Sequence, residues 1–256
     1  MPILLTYPEP GLALVTIDNP SRRNALGPLE FGQLIECWQQ LECDPRIRCV
    51  IVTGSGTLAF CSGAQLDADF SVVPELDSMI EQALLKTRAL PMPMIAAVNG
   101  HCVAGGFELM LACDLRVASS AAKLGLPEVR WGIVPTGGAA MKLVDQIGHA
   151  RALQLLLTAE LISAQQALEF GVVNAVQPPE AVMSEALRLA RLIMGNSPRA
   201  VAQTKRLALL RSLAGWFGQE QEERAGTAQV RASADSAIGR HAFLERVVPH
   251  YPERDA

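Results

Sequence analysis

No run of about 20 apolar residues occurs anywhere in the 256-residue chain, so nothing in it reads as a bilayer-spanning helix. Basic residues are also too few for a polyanionic partner. The 22 Lys and Arg are outnumbered by 26 Asp and Glu, the net charge is −4, and no long cationic cluster forms, which excludes the electrostatic footprint of a nucleic-acid binder. Met1-Pro2 leads straight into ILLTY without a basic leader, so a soluble, cytoplasmic protein is expected. No CxxC pair occurs among Cys37, Cys43, Cys49, Cys61, Cys102 and Cys113, whose scatter through apolar segments predicts buried, reduced thiols rather than a metal site or disulfides. GxSxG and HExxH are both missing. The GSG at 54–56 has neither the strand-GxGxxG-helix context of a dinucleotide site nor the lysine of a P-loop. Internal repeats and low-complexity segments are absent as well, which removes solenoids from consideration.

Half of the residues are hydrophobic, enough for a large core. Short β-type runs at 4–17, 49–54, 94–100 and 114–119 alternate with helical stretches at 28–43 and 76–90, and this alternation predicts an α/β fold. The first run folds back on itself with Pro8 and Gly11 at its turn, whereas the later strands return through helices and pair in parallel. A mixed sheet is the expected result. Helices dominate after about residue 140: Ser163 and Gln166 form a capping box, Gly171 stops that helix, Pro178-Pro179 opens another, Ser197-Pro198 caps a third, and 215–247 reads as further amphipathic helix. The chain is accordingly divided into an α/β core at 1–195 and a helical region at 196–256.

Chemistry concentrates around NGHCVAGGFELMLACD, residues 99–114, where Glu108 interrupts an apolar run just behind Gly105-Gly106. Burying such a carboxylate is costly unless it is paired, hydrogen-bonded or used. Glycines between a strand and a helix leave free N–H groups and a positive dipole end at the helix start, suited to an oxyanion, although a Gly-Gly pair equally lets strand and helix pack closely. Glu128, 20 residues on in the loop-like LGLPEVRWGIVPTGG, is on its own an ordinary surface charge. Ser62-Gly63-Ala64, after a strand, is a turn that can expose one more N–H.

Taken jointly, AFCSGAQL, MIAAVNGHCVAGGFELMLACDLRVAS, LGLPEVRWGIVPTGG and LISAQQALEFGVVNAV, in that order and spacing, resemble the enoyl-CoA hydratase/isomerase (crotonase) superfamily, essentially from residue 19 to 249. The resemblance implies a crotonase-like spiral of ββα units with a mixed-sheet core and a helical C-terminal region. It implies an oxyanion hole from the N–H groups of Ala64 and Gly105, and a catalytic pair in Glu108, as base, and Glu128, as acid. Substrate binding is implied for Arg23, Ala25, Gln65, Leu66 and Thr136, and for Phe243 and Arg246, which the family supplies from a neighbouring subunit. The substrate is then an acyl-CoA thioester, with no metal and no separate cofactor because coenzyme A is part of the substrate.

Both family glutamates are present, which favours hydration of a trans-2-enoyl-CoA. An isomerase or specialised lyase, and a non-catalytic acyl-CoA-binding scaffold, remain the alternatives. Four positions depart from the family pattern: Gln65 stands where Asp is common, Thr136 and Ala139 replace frequent glycines, and Ile238 occupies a usual Glu position. The segment 67–78 is expected to line or cover the acyl pocket. Apolar positions Leu207, Leu209, Leu210, Leu213, Trp216 and Phe217 exceed what a small appendage can bury alone, and the resembling family forms trimers and dimers of trimers, so a homotrimer or homohexamer is expected.

Overall fold

The computed structural model describes residues 2–65, 68 and 74–251. Leu66 and half of the segment 67–78 expected at the acyl pocket lie outside the described residues. The elements run in the order β1 (Ile3–Glu9), β2 (Leu12–Ile17), α1 (Pro28–Cys43), β3 (Cys49–Gly54), β4 (Ala59–Cys61), α2 (Leu76–Ala83), β5 (Met94–Val98), β6 (His101–Val103), α3 (Gly105–Ala112), β7 (Leu115–Ser119) and β8 (Lys123–Gly125). After them come α4 (Ala139–Ile147), α5 (His149–Thr158), β9 (Ile162–Ser163), α6 (Ala164–Phe170), β10 (Ala175–Gln177), α7 (Val182–Met194), α8 (Pro198–Arg231) and α9 (Ala234–Glu245).

Two mixed sheets organise the core. The larger has the order β1-β2-β3-β5-β7-β10 and the smaller β4-β6-β8-β9; β1/β2 and β8/β9 are antiparallel pairs and the others parallel. The chain winds as a spiral: β3 and β4, β5 and β6, then β7 and β8 each place one strand in the larger sheet and the next in the smaller before a helix returns the chain. Every residue of β3 and β5 is buried, as expected for parallel strands covered on both faces. The main apolar cluster fills the space among both sheets and α1, α3 and α4, and a smaller one sits under α7, whose Val182, Ala186 and Ala190 pack on β3, β5 and β7.

Three local expectations change. Pro8 lies inside β1, not in the turn: the register slips between Thr6 and Glu9, a bulge that accommodates a residue without an N–H, and Pro10-Gly11 makes the turn with Gly11 at φ +84. The helix expected over 76–90 ends at Ala83, because Leu85 takes a left-handed φ of +51 and the Trp38 indole donates to the Ala83 carbonyl at 2.8 Å. Helix α8 is continuous from 198 to 231, so 215 opens no new helix. Ser163/Gln166 and Ser197 cap α6 and α8 as expected. All six cysteines are free thiols, Cys43 exposed and the others buried.

Candidate active site

The site begins where two chain turns touch. Leu26 donates to Gly63 O at 2.8 Å and accepts from Gln65 N at 2.9 Å, so residue 64 turns its own N–H to the other side of this two-residue bridge. Gly105 is the first residue of α3, and its N–H has no acceptor within the helix. Gly63, at φ +89, lets the two turns meet: a Cβ there would fall 2.7 Å from Ala104 Cβ and 3.1 Å from Gly105 N. A Cβ on Gly105 would lie 3.8 Å from Ala64 N, so the two amides are neighbours. Ala104, between them, holds a strained φ of +52 and ψ of −130 and is anchored by donating its N–H to Gly125 O at 3.0 Å.

Both glutamates open into the same cavity as these amides. Its volume is about 140 Å³, and its apolar walls include Phe31, Ile80, Leu84, Trp131, Ile133 and Val134. Glu108 stands one helical turn beyond Gly105 and reaches across to the start of α4, where Ala139 N–H donates to Oε1 at 3.0 Å and Gly137 N–H also donates. Burial pushes its carboxyl up from 4.5 to about 7; the Ala139 and Gly137 N–H groups and Lys142 act against that rise, while Glu223 adds to it.

Glu128 opens a short 3-10 turn, Glu128–Trp131, instead of lying in open loop. Among the described residues, neither of its buried carboxyl oxygens has a hydrogen-bond partner. Burial, and then the charge of Glu108, hold it well above the usual carboxylate range. The first proton to leave the pair comes off Glu108, the member with donors, while Glu128 stays the neutral acid.

Of the remaining expected residues, Thr136 and Phe243 also line the cavity. Ala25 is buried beside the Leu26 bridge, exposed Arg23 accepts at its carbonyl from Ser62 N at 3.1 Å, and Gln65 donates to Ala25 O at 3.3 Å, so these three border the Ala64 turn outside the cavity. Phe243 sits at its own chain's cavity, where its ring meets Trp131 edge-on with centroids 5.3 Å apart. Glycines permit this: a Cβ on Gly239 would lie 1.9 Å from Trp131 O, and one on Gly132 would lie 2.3 Å from Asp235 O, so α9 lies directly on the 128–131 turn. Arg246 ends α9 in a left-handed conformation and faces a second, wider concavity with Arg130 and Tyr251, which shares the Trp131 and Phe243 walls.

Sequence reasoning missed the walls Phe31, Ile80, Leu84 and Trp131 and the two donors to Glu108. The donors had a legible signal, since Gly137-Gly138 before an apolar helix repeats the Gly105-Gly106 arrangement. The walls had none.

The sequence model of the enoyl-CoA hydratase/isomerase family matches residues 8–254. Enoyl-CoA hydratase EchA19 of Mycobacterium tuberculosis is 37% identical over 255 residues, covering 94% of this chain and 93% of that protein. The 2,3-dehydroadipyl-CoA hydratase of Escherichia coli is 33% identical over 260 residues, with 98% and 99% of the two chains covered. Among solved structures, carnitinyl-CoA hydratase from Mycobacterium avium superimposes with a TM-score of 0.91 at 32% identity over 99% of both chains.

Proposed function

The chain belongs to the enoyl-CoA hydratase/isomerase family, and on that premise we propose that it is a lyase that adds water to a trans-2-enoyl-CoA to give the 3-hydroxyacyl-CoA. The observation that carries this reading is the convergence of two buried glutamates of unequal acidity with two neighbouring amides on one apolar cavity.

In this mechanism ionised Glu108 takes a proton from water as its oxygen bonds to C3 of the enoyl group. The C2=C3 electron pair moves onto the thioester, and the enolate oxygen accepts from Ala64 N–H and Gly105 N–H. Glu128 then gives its proton to C2. Water is consumed whole, and the pair ends with its proton on Glu108, so a single exchange with solvent or between the two resets it. Amides fixed before the charge develops contribute about 3–4 kcal/mol each to such a step. Arg23 and Arg246 are assigned to the CoA phosphates, Ala25, Gln65, Leu66 and Thr136 to substrate contacts, and Phe243 to the cavity wall. Exposed Leu207, Leu210 and Phe217 along α8 support assembly as a homotrimer or homohexamer.

The test is an absorbance assay on a panel of enoyl-CoA thioesters. Loss of the conjugated-thioester band marks hydration, and its appearance from an unconjugated substrate marks isomerisation. For a hydratase, Glu108→Gln and Glu128→Gln each lower kcat by at least about 100-fold, and the double variant is little worse than the poorer single one. An isomerase would lose activity chiefly through Glu128→Gln. Hydration by Glu108→Gln at near the wild-type rate would overturn its assignment as the base.

A further inference from the structure

Behind Glu108 lies a second set of buried charges that the proposed reaction does not use. Lys142 is 1% exposed, its Nζ donates to Leu85 O at 2.6 Å and lies 5.6 Å from the centroid of the Trp216 ring. Lys86, 4% exposed, places its Nζ 3.1 Å from Glu223 Oε1 of α8. A two-glycine stretch of backbone separates this set from the cavity. A Cβ on Gly137 would lie 2.7 Å from Glu108 Oε2, whereas one on Gly138 would lie 3.1 Å from Lys86 Cγ and 3.6 Å from Lys142 Cε.

Charge parity then bears on the glutamates. Lys86 is taken up by Glu223, which also faces Glu81, Glu220 and their shared partner Arg224, so among the described residues Lys142 is the cation of this set with no carboxylate at its own Nζ. The other groups that face Lys142 do not supply the missing negative charge. Arg116 is a further buried cation, hydrogen-bonded to the carbonyls of Met110, Leu111, Cys113 and Val172 and to Gln146 Oε1, and the Cys113 thiol is pushed up to about 12 by burial. Asp145, bonded to the Trp216 indole, is solvent-exposed. Around Glu108 itself the facing groups are the Ala139 and Gly137 N–H donors, Lys142, Glu223 and Glu128.

We propose that Lys142 is a positioning residue whose buried ammonium, set behind the Gly137–Gly138 backbone, keeps Glu108 the ionised member of the glutamate pair. Burial draws the Lys142 ammonium down to about 7, and the Glu108 carboxylate works in the opposite direction, so each group supports the charged form of the other. Glu223 has the opposite influence on Glu108, disfavouring its ionisation. The inference rests on the catalytic reading for its purpose, although ionisation can be read without turnover.

The experiment is an infrared titration of the buried carboxyl carbonyl bands in the full-length protein without substrate, the Glu108 band being the one that disappears in Glu108→Gln. Lys142→Met is expected to move the Glu108 midpoint up by about one pH unit or more, Lys142→Arg to leave it near the wild-type position, and Glu223→Gln to move it down. Opposite shifts from Lys142→Met and Glu223→Gln support the proposal, because general loosening of the site would move both the same way. Shifts of equal sign, or none, in folded variants overturn it. If Lys142→Met does not fold, Lys142→Gln takes its place: a rise of the Glu108 midpoint supports the proposal, and no change or a fall overturns it. The acid limb of the enoyl-CoA hydration rate is expected to follow the same shifts. Absence of hydration in the wild type would defeat the catalytic reading and leave the infrared result standing.

Discussion

Glu108→Gln is expected to make the protein less active and, above neutrality, more stable. The folded carboxyl titrates near 7 against an ordinary 4.5 because burial disfavours the charged form. At about 1.4 kcal/mol per pH unit, ionising it inside the fold costs about 3 kcal/mol. The folded state holds this proton more tightly than the unfolded state, so the associated stability is complete below pH 4.5 and is lost as pH rises to about 7. A neutral amide never incurs that loss, yet it accepts from only one of the two N–H groups at the start of α4 with its single oxygen, which costs about 1 kcal/mol at any pH. The variant should be about 1 kcal/mol less stable than wild type at pH 4.5 and about 2 kcal/mol more stable at pH 8. Urea denaturation at one fixed protein concentration measures the gap at both pH values. A gap that stays constant between them would refute the argument that burial opposes the charge on Glu108.

Hydration should follow a bell in pH, rising as Glu108 ionises around 7 and falling as Glu128 loses its proton at higher pH; a profile with no acid limb would contradict the assignment. Gly239→Ala should push α9 off the 128–131 turn, since its Cβ would lie 1.9 Å from Trp131 O, and should raise KM while lowering Tm by several degrees; an unchanged Tm would show that α9 packs elsewhere. Ala104→Gly should raise stability by about 1 kcal/mol by relieving the +52 φ, read as a higher urea midpoint at unchanged slope.

The carboxylate at 108 was legible because its neighbours made it anomalous: a lone charge in a stretch as apolar as Phe107 to Leu111 needs a reason. Capping residues were equally readable, since Ser163 and Ser197 act within three residues of themselves. Four strands of the smaller sheet were not, because two or three residues such as Ile162–Ser163 carry no measurable alternation. Pro8 misled because proline marks turns and bulges alike. Glu128 needed its surroundings: nothing local distinguishes a surface glutamate from one buried beside Glu108 in a largely apolar cavity. Lys142 is the strongest case. One turn into an amphipathic helix, a lysine reads as solvated, and only the fold places Leu85 O, Trp216 and Glu223 around it.

The amides of Ala64 and Gly105 belong to the main chain, fixed by the Leu26 bridge and by the Ala104–Gly125 hydrogen bond. No single codon change deletes a backbone N–H except a change to proline. A substitution therefore changes side chains, such as the two carboxyls or the walls Ile80 and Trp131, and leaves the paired donors in place. Under the proposed reaction, a lineage that exchanged one glutamate or enlarged one wall would keep the means of drawing charge onto a carbonyl oxygen and would alter only where protons go and which substituent fits. Divergence in reaction and substrate can thus proceed by single steps from this scaffold, without passing through an ancestor that had lost its grip on the carbonyl.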